Sequence, residues 1–110
     1  MTSRPNIDQI IQVGCDVYGV TPEYAKLDTR RGEVVWIRQA LHYWARKLTP
    51  LNLEEIGKHI GNRDHATVLH SVKCVEREYG KYEDRTQIID AIEGKLKSYG
   101  FSTEKLRRYE

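Results

Sequence analysis

The 110 residues include only one phenylalanine, one methionine, three prolines and two cysteines, and these scarcities narrow what the chain can be. Cys15 and Cys74 are far apart with no C-x-x-C pairing, so neither a disulfide framework nor a four-ligand zinc site can be drawn. Buried or half-buried free thiols are the expectation instead. No run of about 18 apolar residues is available to cross a bilayer, and Met1-Thr2-Ser3-Arg4-Pro5 lacks the apolar stretch of a secretory signal. A cytoplasmic chain with no membrane partner is therefore expected. There is no phosphate-cradling G-x-x-x-x-G-K-[ST] string and no H-E-x-x-H pair, since His65 and His70 are five apart. No acidic metal cluster accompanies the basic residues. The chain is thus expected to be non-enzymatic, with no cofactor, no metal and no small-molecule substrate.

What is present suits one domain, because a 39% hydrophobic content supplies one modest core. The net charge of +2 hides a local imbalance. Residues 1–28 hold two basic side chains against four acidic, residues 29–77 hold nine against five, and residues 78–110 hold seven of each. A basic middle between acidic and neutral flanks points to a face for a polyanion.

Helical periodicity runs through the chain, with no strand pattern, repeat or low-complexity linker. Ile7, Ile10, Ile11, Gly14 and Tyr18 mark a first helix between Pro5-Asn6 and Gly19. Thr21-Pro22-Glu23 starts a short one ending near Lys26. After the basic loop Asp28-Thr29-Arg30-Arg31-Gly32, a long amphipathic helix runs from Glu33 to Lys47. Val34, Ile37, Ala40, Leu41, Trp44 and Leu48 form its stripe, and Arg38, Gln39, His42 and Arg46 lie off it. Pro50 ends it. Asn52 and Glu55 form a capping box for a helix from Leu53 to Ile60. Gly61 closes that helix in a left-handed conformation, and the chain restarts at Asp64. The next helix carries Val68, Leu69, Val72, Val75 and Tyr79 inward, with Ala66, Thr67, His70, Lys73, Cys74 and Arg77 on its other side. A last helix from Glu83 to Tyr99 is marked by Ile88, Ile89, Ile92, Leu96 and Tyr99, and Gly100 stops it. Residues 102–110 read as a frayed or short helical tail with Lys105, Arg107 and Arg108 solvated.

Two helices joined by a three- or four-residue turn containing glycine have the proportions of a helix-turn-helix. The second helix of such a unit enters the major groove with its first turn leading. Arg63, Asp64, His65, Ala66 and Thr67 would then face base edges, with His70 one turn further on. Asp64 can accept from a cytosine amino group, His65 can donate or accept, and the methyls of Ala66 and Thr67 suit thymine methyls. Asp64 is expected to cap the helix as well. Arg30, Arg31, Arg38, Arg46, Lys47, Lys58 and Lys73 are available for phosphates, as are the amides at the start of the helix opening at Leu53. The Arg30-Arg31-Gly32 loop has the chemistry to reach a narrow A·T-rich minor groove. Trp44, Tyr18 and Tyr79 fit core stripes rather than a stacking platform for single strands, and Trp36 fits either role.

The run Leu53-Glu54-Glu55-Ile56-Gly57 followed by Gly61-Asn62-Arg63-Asp64-His65-Ala66-Thr67-Val68-Leu69-His70 closely resembles the C-terminal DNA-binding domain of the bacterial replication initiator DnaA. Arg30, Arg38-Gln39-Ala40 and Arg46-Lys47-Leu48-Thr49 share its register, and the likeness extends from Ile7 to Tyr79. The resemblance implies an all-α, Trp-repressor-like helical bundle that binds a short, asymmetric A·T-containing duplex box as a monomer, with replication proteins as further partners. It places Arg63, Asp64, His65, Thr67 and His70 on the recognition helix and Arg30 in the minor groove. Arg38, Gln39 and Arg46 fall on phosphate contacts. Ala66 stands where the family usually has threonine, Gly32 where a second loop arginine is common, and Cys74 where lysine or arginine is frequent. Without a phosphate-binding loop, the expected role is occupancy of a site that regulates replication or transcription, as a free-standing protein of a phage or mobile element or as an excised domain. The competing expectation is an interaction module acting on a host initiator or mobile-element machinery.

Overall fold

The computed structural model describes residues 3–27, 29 and 31–106. Six helices follow one another: α1 (Ile7–Tyr18), α2 (Pro22–Ala25), α3 (Gly32–Leu48), α4 (Leu53–His59), α5 (His65–Glu78) and α6 (Glu83–Ser98). Among the described residues the one strand-like feature is an isolated bridge between Ser3 and Phe101, so the fold is all-α.

Local chemistry sets the helix ends. Asn6 and Gln9 cap α1 reciprocally, and Gly19 ends it in the left-handed region, where glycine carries no Cβ penalty. Thr21 accepts from the Tyr24 amide ahead of Pro22. Asn52 and Glu55 form the expected capping box on α4, with bonds of 2.8 and 3.2 Å. Each such cap satisfies amides that the helix itself leaves without partners.

α3 is the axis of the molecule and packs against all five other helices. Its Ile37, Ala40, Leu41, Trp44 and Leu48 share one core cluster with Ile10 and Ile11 of α1, Ile56 of α4, Val68 and Val72 of α5, and Ile89, Ile92 and Leu96 of α6, and Val34 is also buried. The indole of Trp44 donates to the Ile89 carbonyl at 3.3 Å, which satisfies its polar edge inside the core.

This central position corrects several sequence expectations. His42, read as lying off the apolar stripe, is completely buried, and Arg38 and Arg46 are only 8% and 9% exposed. A helix surrounded by others has no solvated face to give them. Cys74, assigned to the outer side of α5, is also buried, whereas Tyr79 and Tyr99, assigned to core stripes, are about half exposed at 48% and 56%. Both tyrosines sit at C-caps, where the chain has already left the helical path that the periodicity extrapolates. Leu69 is half-buried. Cys15 and Cys74 are free and buried, as expected.

The C-terminal segment is not helical up to Leu106. The Ser102 amide donates to the Ser3 carbonyl and the Leu106 amide to the Lys47 carbonyl, both at 2.8 Å. Arg4 donates to the Glu104 carbonyl at 2.6 Å, and Lys105 lies over the Tyr43 ring at 5.3 Å. The segment is a strap that binds the start of the chain and the end of α3. Arg107 and Arg108 lie outside the described residues.

Candidate nucleic-acid interface

The geometry of the turn between α4 and α5 begins at Gly57. Its carbonyl accepts the Arg63 amide at 2.8 Å, and a Cβ added to it would collide with the Arg63 carbonyl. The chain therefore folds back onto α4 at a residue with no side chain. Gly61 and Asn62 follow with φ of 83° and 49°. Glycine takes the left-handed region freely, and asparagine is among the few other residues that take it readily. The turn is thus built by Gly57, Gly61 and Asn62 together. Only Gly61 had been assigned a conformation from its sequence; the close approach at Gly57 depends on a partner six residues away.

Asp64 starts α5 as its N-cap, accepting from the Thr67 amide at 2.8 Å. The amide and hydroxyl of Thr67 hold its carboxyl below the usual range, because hydrogen bonds to the charged form favour it. Asp64, His65, Ala66, His70 and Lys73 are exposed, Arg63 and Thr67 are half-buried, and Val68, Val72 and Val75 are buried. Asp64, His65, Ala66 and His70 are therefore brought together on the open start of α5, whereas Arg63, expected beside them, turns its guanidinium inward, with Nε and Nη2 buried and Nε 3.3 Å from where a Cβ on Gly61 would stand.

The residues assigned to phosphates divide into two sets. Arg31 and Lys58 are exposed, and Lys58 pairs with Glu54 at 3.5 Å. Lys47 is mostly covered and pairs with Glu76 at 3.5 Å. Leu53 opens α4 and packs its side chain on the core, which leaves only its backbone for an anion. Gln39 is half-buried. Arg38 is already committed within the protein, with its guanidinium donating to the Leu27 and Thr29 carbonyls at 2.8 and 3.3 Å. Its Cδ also lies 3.2 Å from where a Cβ on Gly61 would stand. Arg38 thus joins the basic loop to the helix-turn-helix turn, a role that spacing on α3 did not reveal. Arg30 lies outside the described residues.

Cys74 does not face an open surface, so the comparison with a family lysine or arginine there does not amount to a missing surface charge. Its sulfur is 3.3 Å from His70 Nε2 and accepts from Arg77 Nη2 at 3.4 Å. Trp36 is half-buried with the Arg85 guanidinium 4.7 Å above its ring, an intramolecular cation–π contact that occupies one face of the indole.

Beneath α5 is a polar contact that the sequence reading missed. His42 Nε2 is 3.0 Å from the Ile60 carbonyl, and Nδ1 is 2.9 Å from Ser71 Oγ. Burial, opposed in part by the Ile60 bond and assisted by the charges of Arg38 and Arg63, pushes the imidazole pKa down to about 4. No sequence signal distinguishes a histidine on a central helix from one on a surface helix.

The short glycine-bearing turn, the capped second helix and its polar leading edge define the class: a helix-turn-helix domain, the architecture that presents a helix to the major groove. The particular family follows from comparison. The family model described as the bacterial DnaA protein helix-turn-helix matches residues 7–75, and the chain belongs to that family. Chromosomal replication initiator proteins DnaA are similar to it. The one from Lachnoclostridium phytofermentans is 37% identical over 90 residues, covering 82% of this chain and 20% of its own length. That from Bacteroides thetaiotaomicron is 35% identical over 96 residues, covering 87% and 20%. That from Bacteroides fragilis is 41% identical over 75 residues, covering 68% and 16%. The chain spans about a fifth of the length of such relatives.

Proposed function

We propose that this chain binds double-stranded DNA in a sequence-specific manner at a DnaA-box-like site, as a monomer, and regulates replication or transcription by occupying it. The supporting observation is the edge of α5, where Asp64, His65, Ala66 and His70 stand exposed in the first two turns beside half-buried Arg63 and Thr67. Helices of this class enter the major groove by that end. His65 supplies a donor, Asp64 an acceptor for a cytosine amino group, and Ala66 and Thr67 methyls for thymine; Arg63, whose Nε and Nη2 are buried in the free protein, adds its donors by swinging outward on DNA.

Affinity comes from cations that flank this edge, because neutralising phosphates releases condensed counterions. Lys73 and Arg31 are exposed for that purpose. Arg46, Lys47, Gln39 and the Leu53 amide are assigned further phosphate contacts, from less exposed positions. Arg30 is the minor-groove reader. Arg38 acts mainly by holding the loop that carries Arg30 and Arg31, through the carbonyls of Leu27 and Thr29.

Fluorescence-anisotropy titration at matched salt, with a box-containing and a scrambled duplex, tests the reading. The box duplex should bind at least about a thousandfold tighter, the lower end of specific over non-specific affinity. Equal affinities would refute sequence-specific binding. Absence of any duplex binding at low salt, with a replication protein captured instead, would favour an interaction module.

A further inference from the structure

We infer that His42 is a positioning residue for base readout: its imidazole clasps the last residue before the turn to the second turn of α5, and so fixes the rotation at which the reading edge meets DNA. The readout step rests on the DNA-binding reading above, whereas the clasp itself is a property of the free protein.

The roles of the ring atoms follow from their partners. The Ile60 carbonyl can only accept, so Nε2 carries the proton and donates to it at 3.0 Å. A neutral ring then offers Nδ1 as an acceptor, and the Ser71 hydroxyl, 2.9 Å away, donates to it. That hydroxyl is also 3.1 Å from the Thr67 carbonyl. Within α5 the Thr67 carbonyl has the Ser71 amide as its regular partner, so the hydroxyl can turn to the histidine without leaving it unsatisfied. One side chain of α3 thereby bonds to both halves of the helix-turn-helix at once.

The placement of these bonds makes them a control on rotation. Ile60 is the C-cap of α4 and directly precedes the turn, and Ser71 follows Thr67 by one helical turn on nearly the same side of α5. Val68 and Val72 pack on the core, but apolar contacts are non-directional and allow a helix to roll by small amounts. A hydrogen bond has a preferred direction as well as a distance. Two of them on a rigid ring, completely buried, fix α5 about its axis relative to α4. Readout of base edges depends on that angle because donors and acceptors must align, whereas phosphate contacts made by long flexible side chains tolerate small rotations.

The variants Ser71→Ala, which removes the Nδ1 partner, and His42→Gln, which keeps a donor for Ile60 but loses the rigid ring, test this in two measurements. In the free protein, residual dipolar couplings of backbone amides should report a changed orientation of α5 relative to α4. Circular dichroism should remain helical. On DNA, the ratio of box to scrambled affinity should fall roughly five- to thirtyfold, as for a damaged base contact, while scrambled-duplex affinity stays within about twofold, because phosphates dominate it. Unchanged couplings in both variants would overturn the inference. So would a ratio that stays at the wild-type value, or a loss that is equal on both duplexes. A wild-type ratio near one would instead refute the functional reading itself, and with it the readout role, so the two failures are distinguishable.

Discussion

A neutral imidazole in the core makes the fold sensitive to mild acid. His42 has an ordinary value of 6.5 when solvated and about 4 when folded, because burial and the nearby Arg38 and Arg63 charges oppose protonation. The unfolded chain therefore binds a proton between these values that the folded chain refuses. Its contribution is fully present above about pH 6.5 and is lost as the pH falls towards 4, by roughly 3 kcal/mol at most. Urea unfolding from pH 7 to pH 4.5 should show this decline in the wild type and a flatter profile in His42→Met. Equal slopes would assign the acid sensitivity to other groups. Gly57 gives a second residue-scale expectation. A Cβ there meets the Arg63 carbonyl and lies 3.3 Å from Val68 Cγ2, and the bond from the Arg63 amide back to Gly57 prevents the chain from easing away. Gly57→Ala should cost about 2 kcal/mol or more, within the range for overpacking, and should do so in chemical denaturation without any DNA.

At the scale of the element, the helices were legible because their boundaries are local chemistry. The capping box on α4, the Thr21 cap and the Gly19 and Gly61 terminators each depend on residues within a few positions, so spacing alone identifies them. Asn52→Ala should accordingly lower stability by about 1 kcal/mol, measured as a shift in the denaturation midpoint with an unchanged slope. Facing was legible only where a helix has one buried side. α1 and α5 largely follow their stripes, but α3 is enclosed by five partners, and the polar residues that interrupt its stripe became internal connectors instead of surface groups. Arg38 and His42 were misplaced for that reason. The exposure of Asp64, His65, Ala66 and His70 was legible because one side of α5 is left uncovered, whereas the inward turn of Arg63 depends on the approach of Gly61 and was not.

At the scale of the whole molecule, the concentration of positive charge in residues 29–77 maps onto α3, α4, α5 and the loop before α3, the elements that build the proposed interface. Lys73 is exposed and lies beyond the first turn of α5, to which base reading is assigned by the proposal. Lys73→Ala should weaken box and scrambled duplexes alike and reduce the salt dependence of binding by about one unit of slope. A loss confined to the box duplex would make Lys73 a base contact instead. The sequence could not reveal the strap from Phe101 to Leu106, whose bonds to Ser3 and Lys47 join positions far apart in the chain and leave no periodic trace.

That strap also sets the topology available to an engineer. Because Ser3 and Phe101 are bridged neighbours and Arg4 holds the Glu104 carbonyl, a flexible peptide can lead from beyond Leu106 back to Ser3 with the strap kept, and the chain can be reopened in the exposed segment at Gly80 and Lys81. Loops of that kind tolerate new termini. Such a circular permutant should keep the far-ultraviolet spectrum of the parent, and its duplex binding would show whether the order in which the helices are synthesised matters to the surface they form.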